Sequence, residues 1–319
     1  MEITQKKQPY MHLFRSYGTV LAGLLIILVF SILSPNAFAT LDNAINISRQ
    51  IVFLVLMALG ATLVMAVGEF DLSVGAIASL GGVFAAKLAV AGYPIVVVVL
   101  IPILCAFVIG YINGWIVTKF RVLSFITTLG MGTVIGGISF RVTNGATIFQ
   151  NIPKSFLYLG QTKWGAIPLL SIIMIVITVL FWYIMSHTAF GRKLYAIGGN
   201  ESASRVAGVK VAFNKNLAFA LCSVLATLAG ILMASRLGSA HPTGADGLFL
   251  NAYAAVFLGM TCFKEGTPNI WGTFVGAAII GILSNGMTIL AVPTFMQNVI
   301  TGLIVIVAVL VQKFGKGSA

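Results

Sequence analysis

Apolar runs of about 20 residues recur along almost the whole chain, and each is the length an α-helix needs to cross a bilayer's hydrocarbon core. Only 8% of the 319 residues are charged and 59% are hydrophobic. A soluble domain carries about 25% charged residues to cover its surface, so this chain cannot fold as one. The expected class is all-α: a polytopic bundle of about ten transmembrane helices forming one membrane domain over 1–319.

The expected spans are 17–33, 48–67, 73–91, 94–118, 122–140, 166–185, 216–234, 249–263, 270–290 and 294–312. The third holds Lys87 and the eighth is short. Lysine and arginine accumulate in cytoplasmic loops. With the N-terminus inside, 13 of the 19 basic residues fall there: Lys6, Lys7, Arg15, Lys119, Arg121, Arg192, Lys193, Arg205, Lys210, Lys215, Lys264, Lys313 and Lys316. Ten spans then place both termini in the cytoplasm. Lys6, Lys7, Arg15, an apolar run and Ala37-Phe38-Ala39 also imitate a cleavable signal peptide. The orientation count works with the segment retained. Ile109-Gly110 with Asn113-Gly114 in span four echoes Ile280-Gly281 with Asn285-Gly286 in span nine, five spans on, which points to an inverted five-plus-five repeat.

The net charge of +12 is ascribed to loops facing anionic lipid and not to nucleic acid, because no basic stretch interleaves with aromatics on a polar surface. Cys105, Cys222 and Cys262 lie far apart inside apolar segments, and His12, His187 and His241 lack metal spacing. No Gly-x-x-x-x-Gly-Lys-Ser/Thr run occurs; the tail Gly315-Lys316-Gly317-Ser318 lacks its first glycine. No cofactor is expected in this chain, and any ATP must be bound by a partner. No Gly-x-Ser-x-Gly elbow supports a hydrolase, so the chain is not read as an enzyme.

Two segments carry most of the mechanism. The inside loop of about 186–215 holds five of the inside basic residues, and its middle reads as a two-turn helix. Asn200 suits the N-cap, Glu201 the positive helix end and Gly208 a left-handed stop. Ala203 and Ala207, four apart, make a smooth face for docking into another protein; the other reading is an ordinary basic loop. The second segment is Gly68-Glu69-Phe70-Asp71-Leu72-Ser73-Val74-Gly75. Carboxylates at a membrane helix boundary are costly unless solvated, paired or capping. Asp71 either caps span three or, with Glu69 and Ser73, lines the solute path. Asn113 and Asn285 sit in apolar helices, where amides either bind a neighbouring helix or meet substrate. The outer loops 141–165 and 235–248 offer Arg141, Asn144, Lys154, Lys163, Arg236, His241 and Asp246 to an external partner or to solvent.

Over nearly its whole length the chain resembles the permease subunits of bacterial ABC importers for simple sugars, the ribose, xylose, arabinose and galactoside group. Three ordered motifs carry the resemblance. They are Asp71-Leu72-Ser73-Val74-Gly75, the Gly191 to Val209 pattern Gly-x-x-Leu-x-Ala-x-Gly-x-Asn followed by Ala-Gly-Val, and Trp271-Gly272-Thr273 with Gly276-Ala277. The chain departs from the pattern at Gly68-Glu69-Phe70, where Gly-Gly-Ile is expected, and at Cys262-Phe263-Lys264-Glu265-Gly266-Thr267, where a glycine-rich turn is expected. Those departures leave the sugar open. The resemblance implies a second permease chain, identical or homologous, completing the pore in the inner membrane. It also implies a cytoplasmic ATP-binding subunit docked on 190–209 through residues such as Gly191, Arg192, Gly198, Gly199, Asn200, Glu201, Ala203, Ala207 and Gly208, and a periplasmic or lipid-anchored sugar-binding protein. Rival readings are a related permease for branched-chain amino acids or nucleosides and a stand-alone secondary transporter.

Overall fold

A computed structural model of the chain describes residues 9–263 and 266–316; Lys6, Lys7, Lys264, Glu265, Gly317 and Ser318 lie outside the described residues. It is an all-α membrane bundle. The helices are α1 (Pro9–Leu33), α2 (Leu41–Ala66), α3 (Val74–Val90), α4 (Ile95–Phe120) and α5 (Ser124–Thr143), then the short α6 (Lys154–Gln161) and a two-stranded hairpin of β1 (Lys163–Trp164) and β2 (Ile167–Pro168). There follow α7 (Leu169–His187), α8 (Ala189–Gly199), α9 (Glu201–Val206), α10 (Val211–Leu237), α11 (Leu248–Gly259), α12 (Ile270–Ile289) and α13 (Thr294–Lys316). Among the described residues α2, α4, α5, α7, α10 and α12 are long and apolar enough to cross a membrane, and α3, α11 and Thr19–Leu33 are shorter apolar helices.

Each of the ten expected spans overlaps one of these helices, though α2 begins at Leu41 and α10 at Val211, ahead of the expected 48 and 216. The 141–165 loop, expected to be irregular, holds α6 and β1, whose antiparallel partner β2 sets Lys163 opposite Pro168 and Trp164 opposite Ile167. The sixth span starts at Leu169 and not at 166, because Ile167 and Pro168 belong to the hairpin.

The bundle has two distinct ends. One carries α8 and α9, which pack against the end of α2 and the start of α10; the other carries the hairpin and α6, which packs against the end of α10. α2 is buried without a break from Ile51 to Val64, which is why its sequence is apolar on every face. Thr40 begins that helix by accepting the Asn43 N–H at 3.2 Å, and Asn269 begins α12 by accepting the Gly272 N–H at 2.7 Å. Small residues let the central helices approach closely: a methyl on Gly230 would collide with the Ala78 carbonyl, and one on Gly276 with the Ala255 carbonyl. α4, α5 and α7 keep most of their apolar side chains uncovered, as lipid-facing helices do. The segment that imitates a signal peptide is packed into the bundle. Gly23 faces Ile279, and Phe30 lies over Gly286 and beside Phe38, with ring centroids 5.3 Å apart.

α11 has only 12 residues, a length of about 18 Å, which is too short to cross a core of about 30 Å. An irregular stretch, 238–247, leads into it. Ala240 pairs with Ile148 at the hairpin end, and the chain then descends between α3 and α5. The sequence reading placed this stretch in an outer loop; most of it lies at helix depth.

Candidate functional site

The 186–215 segment forms two helices, not one. Thr188 caps α8, Asn200 breaks the chain and caps α9 by accepting the Ala203 N–H at 2.9 Å, and Gly208, at φ +80°, ends the unit in the left-handed conformation. The two-turn helix expected in the middle of the loop is α9, and α8 was not expected. The glycines of α8 have a packing reason. A Cβ on Gly191 would strike the Met185 carbonyl, and one on Gly198 would strike the Ala66 carbonyl at the end of α2. Leu194 and Ile197 anchor α8 in the core. Gly199, Ala203, Ala207 and Gly208 remain open, and beside them Val206 is 91% exposed. Val206 was not picked out from sequence, since one valine in a basic loop carries no signal of its own. Arg192 donates to the His187 carbonyl at 3.3 Å.

The polar centre of this end is a three-element ion cluster. Lys215 Nζ in the first turns of α10 donates to Glu69 Oε1 at 2.6 Å and to Glu201 Oε2 at 2.8 Å. Arg205 pairs with Glu201 Oε1 at 2.8 Å. The Lys215 side chain is 9% exposed and that of Glu69 18%, while Glu201 is 42% exposed. The hydrogen bond from Lys215, aided by its charge and by Arg205, holds the Glu201 carboxyl below its ordinary pKa against the opposing pull of desolvation. The cluster opens onto a groove of about 940 Å³ that Trp115, Lys119, Arg121 and Phe213 also line.

Glu69 belongs to the linker 67–73, in which Val67, Asp71 and Ser73 turn inward. Asp71 is fully buried, and its Oδ1 accepts the Ser73 N–H at 2.9 Å and the Ser73 hydroxyl. Ser73, not Asp71, occupies the N-cap position of α3, and it makes no side-chain cap bond. The carboxylate therefore fastens the turn ahead of the helix, and in this conformation it cannot touch solute. Asn113 Nδ2 donates to Ser73 Oγ at 3.0 Å, tying α4 to the same turn. The phenol of Tyr253 in α11 accepts the Asp71 N–H at 2.6 Å and donates to the Asp71 carbonyl at 3.0 Å. Ser124 and Thr128 of α5 accept the N–H groups of Phe70 and Leu72. The backbone N–H groups of residues 70–73 thus each find a side-chain partner, as burial requires. Asp71 Oδ2 and Asn113 Oδ1 are buried acceptors without a hydrogen-bond partner among the described residues.

The candidate residues therefore divide. Asp71, Ser73 and Asn113 meet; Glu69 joins Glu201; Asn285 lies at the hairpin end, where Asn43 donates to it at 3.0 Å and also to the Phe38 carbonyl. Among the described residues no three His, Cys, Asp or Glu side chains gather as metal ligands do.

Residues 43–309 match the family model described as branched-chain amino acid transport system / permease component. The ribose import permease protein RbsC of Escherichia coli (strain K12) is 38% identical over 92% of both chains. Its namesake in Bacillus subtilis (strain 168) is 36% identical over 98% of this chain and 97% of that one. The D-allose transport system permease protein AlsC of Escherichia coli (strain K12) is 32% identical over 98% of this chain and 96% of its own length. No solved structure matches. With a multi-helix apolar bundle and a family match spanning most of its length, the chain belongs to the branched-chain amino acid transport system / permease component family and is the multi-pass transmembrane permease component of an ABC importer, not an enzyme.

Proposed function

We propose that the chain forms half of the pore of a ribose-type sugar importer, completed by a second permease chain. A cytoplasmic ATP-binding subunit drives it through α8 and α9, and a periplasmic or lipid-anchored binding protein delivers the sugar to the hairpin end. The observation that carries this reading is the Glu201–Lys215–Glu69 cluster, which fastens an exposed helix pair to the linker between two buried helices. A force on α9 reaches the core through it. The uncovered Ala203, Val206 and Ala207 offer a small apolar contact for the driving subunit. Lys119, Arg121, Arg192, Lys193, Arg205, Lys210 and Lys215 all lie at the α8–α9 end, which supports placing that end and both termini in the cytoplasm, with ten crossings.

The inverted five-plus-five repeat draws support from packing: α10 lies against α3 and α4 as α2 lies against α11 and α12, and α5 meets α3 as α13 meets α11. Both α3 and α11 follow an irregular stretch, 67–73 and 238–247.

The test is co-purification from native membranes, then reconstitution. An ATP-binding subunit and a soluble binding protein are expected with the permease, and ATP-dependent uptake of labelled ribose is expected to fall when unlabelled ribose competes. Absence of any ATP-binding subunit would sink the importer reading. Competition by leucine and not ribose would sink only the sugar, in favour of the solute in the family description.

A further inference from the structure

Residues 238–247, Gly-Ser-Ala-His-Pro-Thr-Gly-Ala-Asp-Gly, include no large apolar side chain, yet they run far into the bundle. Ser139 of α5, itself fully buried, donates to the Pro242 carbonyl at 3.0 Å. Ser79 of α3 accepts the Ala245 N–H at 3.0 Å and donates to Asp246 Oδ1 at 3.0 Å. A Cβ on Gly75 would come within 3.0 Å of the Asp246 Cα. Gly75 lies in the first turn of α3, so at about 1.5 Å per residue Asp246 sits roughly 22 Å below the Val90 end of that helix.

Irregular backbone is tolerated at membrane depth only where it is buried in protein or lines water. Pro242 and Ala245 are the buried side of this stretch, whereas His241, Gly244 and Gly247 are exposed and Thr243 and Asp246 half-covered. Lipid is a poor neighbour for a surface of His, Thr, Asp and glycine backbone.

We propose that 238–247 lines the solute path, with His241, Thr243 and Asp246 as its hydrogen-bonding groups for a polyhydroxylated solute. This rests on the sugar-importer reading and adds where the sugar passes. The chemistry is specific. His241 Nδ1 accepts the Thr243 N–H at 3.2 Å and lies 3.0 Å from the Thr243 hydroxyl. A neutral imidazole whose Nδ1 accepts carries its proton on Nε2, which therefore presents a donor. Asp246 has committed Oδ1 to Ser79, and its Oδ2 makes no hydrogen bond among the described residues and presents an acceptor. Sugar hydroxyls donate and accept, so alternating donors and acceptors along one strand suit them. The strand holds solute weakly because few such groups converge at any one depth.

The experiment uses the complete importer in cells, with Cys105, Cys222 and Cys262 replaced by alanine. Single cysteines are placed by His241→Cys, Thr243→Cys and Gly247→Cys, with Val134→Cys on the exposed face of α5 and Asn144→Cys at the hairpin end as controls. A membrane-impermeant charged methanethiosulfonate is added outside. Positions 241, 243 and 247 are expected to react, lose uptake on modification, and react at least about threefold more slowly during ribose transport. Asn144→Cys should react without protection and Val134→Cys should stay unmodified. If Asn144→Cys reacts but all three path positions do not, the strand is covered by protein and the proposal is overturned. Reaction unaffected by any transported solute overturns it equally. Protection by leucine or a nucleoside, and not by ribose, leaves the strand in the path and removes the sugar reading.

Discussion

Lys215→Met tests whether the ion cluster bears force or merely neutralises charge. The substitution keeps the length and apolar stem of the side chain while leaving Glu69 and Glu201 without the cation that separates them. Breaking a fully buried pair by deleting one partner costs about 3–5 kcal/mol, whereas solvent-exposed pairs are worth about 0–1 kcal/mol. The Lys215–Glu69 bond, with side chains 9% and 18% exposed, falls between these limits, and the Lys215–Glu201 bond, with Glu201 at 42%, lies near the lower one. A loss of about 1–3 kcal/mol follows, nearly all of it from the Glu69 arm. Glu69→Gln in the Lys215→Met background removes the stranded carboxylate, so the double variant should be more stable than Lys215→Met alone. The assay is thermal unfolding of the purified permease in detergent or nanodiscs, beside ATP hydrolysis and uptake by the reconstituted importer. Lys215→Met should unfold several degrees lower and lose uptake more than ATP hydrolysis. Unchanged unfolding and unchanged uptake would refute the argument, and strictly additive effects in the double variant would show that Lys215 and Glu69 do not act as a pair.

Ala203→Trp or Ala207→Trp should abolish uptake and weaken retention of the ATP-binding subunit at normal membrane levels, since both sites are open in the permease; full uptake would show that this face touches nothing. Asp71→Asn should keep most transport, because its amide oxygen can still accept from Ser73; Asp71→Ala leaves the Ser73 N–H and hydroxyl proton without their acceptor, at about 1–3 kcal/mol, and should lower protein level or uptake. Equal failure of both at normal level would show that the charge itself is needed. Glu201 has a depressed folded pKa, so its contribution is complete above the ordinary carboxylate value of about 4.3 and disappears as pH falls through the lower folded value. Glu201→Gln should accordingly lower the unfolding temperature slightly near pH 7, flatten the acid limb of the profile and converge with the parent at low pH, which parallel melts would check. Tyr253→Phe removes both hydrogen bonds to the Asp71 backbone and should let the assembled importer hydrolyse ATP while uptake falls about tenfold or more; parallel loss of both activities would mean that the phenol only stabilises the fold.

The spans were legible because length and apolarity are local properties, and a helix in lipid has no alternative way to satisfy its backbone. The short elements were not. α8 contains Gly191, Gly198 and Gly199, which lower helix propensity, and it exists because Leu194 and Ile197 bury while the glycines admit the backbones of α7 and α2. Asp71 was read as a cap from its position before α3, but whether a carboxylate reaches the first helical N–H groups or stops at Ser73 depends on the turn, which Tyr253, Ser124 and Thr128 fix from far along the chain. Lys215 and Glu69 are 146 residues apart, and nothing in either neighbourhood announces the other. Asn113 and Asn285 lie at opposite ends, as matching positions in oppositely oriented spans must, but their partners Ser73 and Asn43 are set by packing. The 238–247 stretch was misplaced for a physical reason: polar composition separates lipid from not-lipid and cannot tell an outer loop from the wall of a path.

The separate contacts connect into a route. Glu201 on α9 is bonded to Lys215, and Lys215 to Glu69. Two residues on, Asp71 is gripped on both backbone groups by Tyr253 of α11. Tyr253 lies in the second turn of α11, the helix that 238–247 leads into, and Asp246 at the end of that stretch rests on Gly75 at the start of α3. The irregular segments 67–73 and 238–247 therefore enter from opposite ends; the first is hydrogen-bonded to Tyr253 of α11, and the second is hydrogen-bonded to Ser79 and packed on Gly75 of α3. Displacing α9 by the ångström or two typical of helix shifts cannot move Glu69 without pulling on Tyr253. Neither irregular segment has a helical ladder of its own to resist the pull. The Phe70 ring, 38% exposed, belongs to the linker and lies 5.6 Å from that of Tyr253. An importer must open one end of its path while closing the other, and a strand at the hairpin end tied to a linker at the α8–α9 end supplies that reciprocity within a single chain.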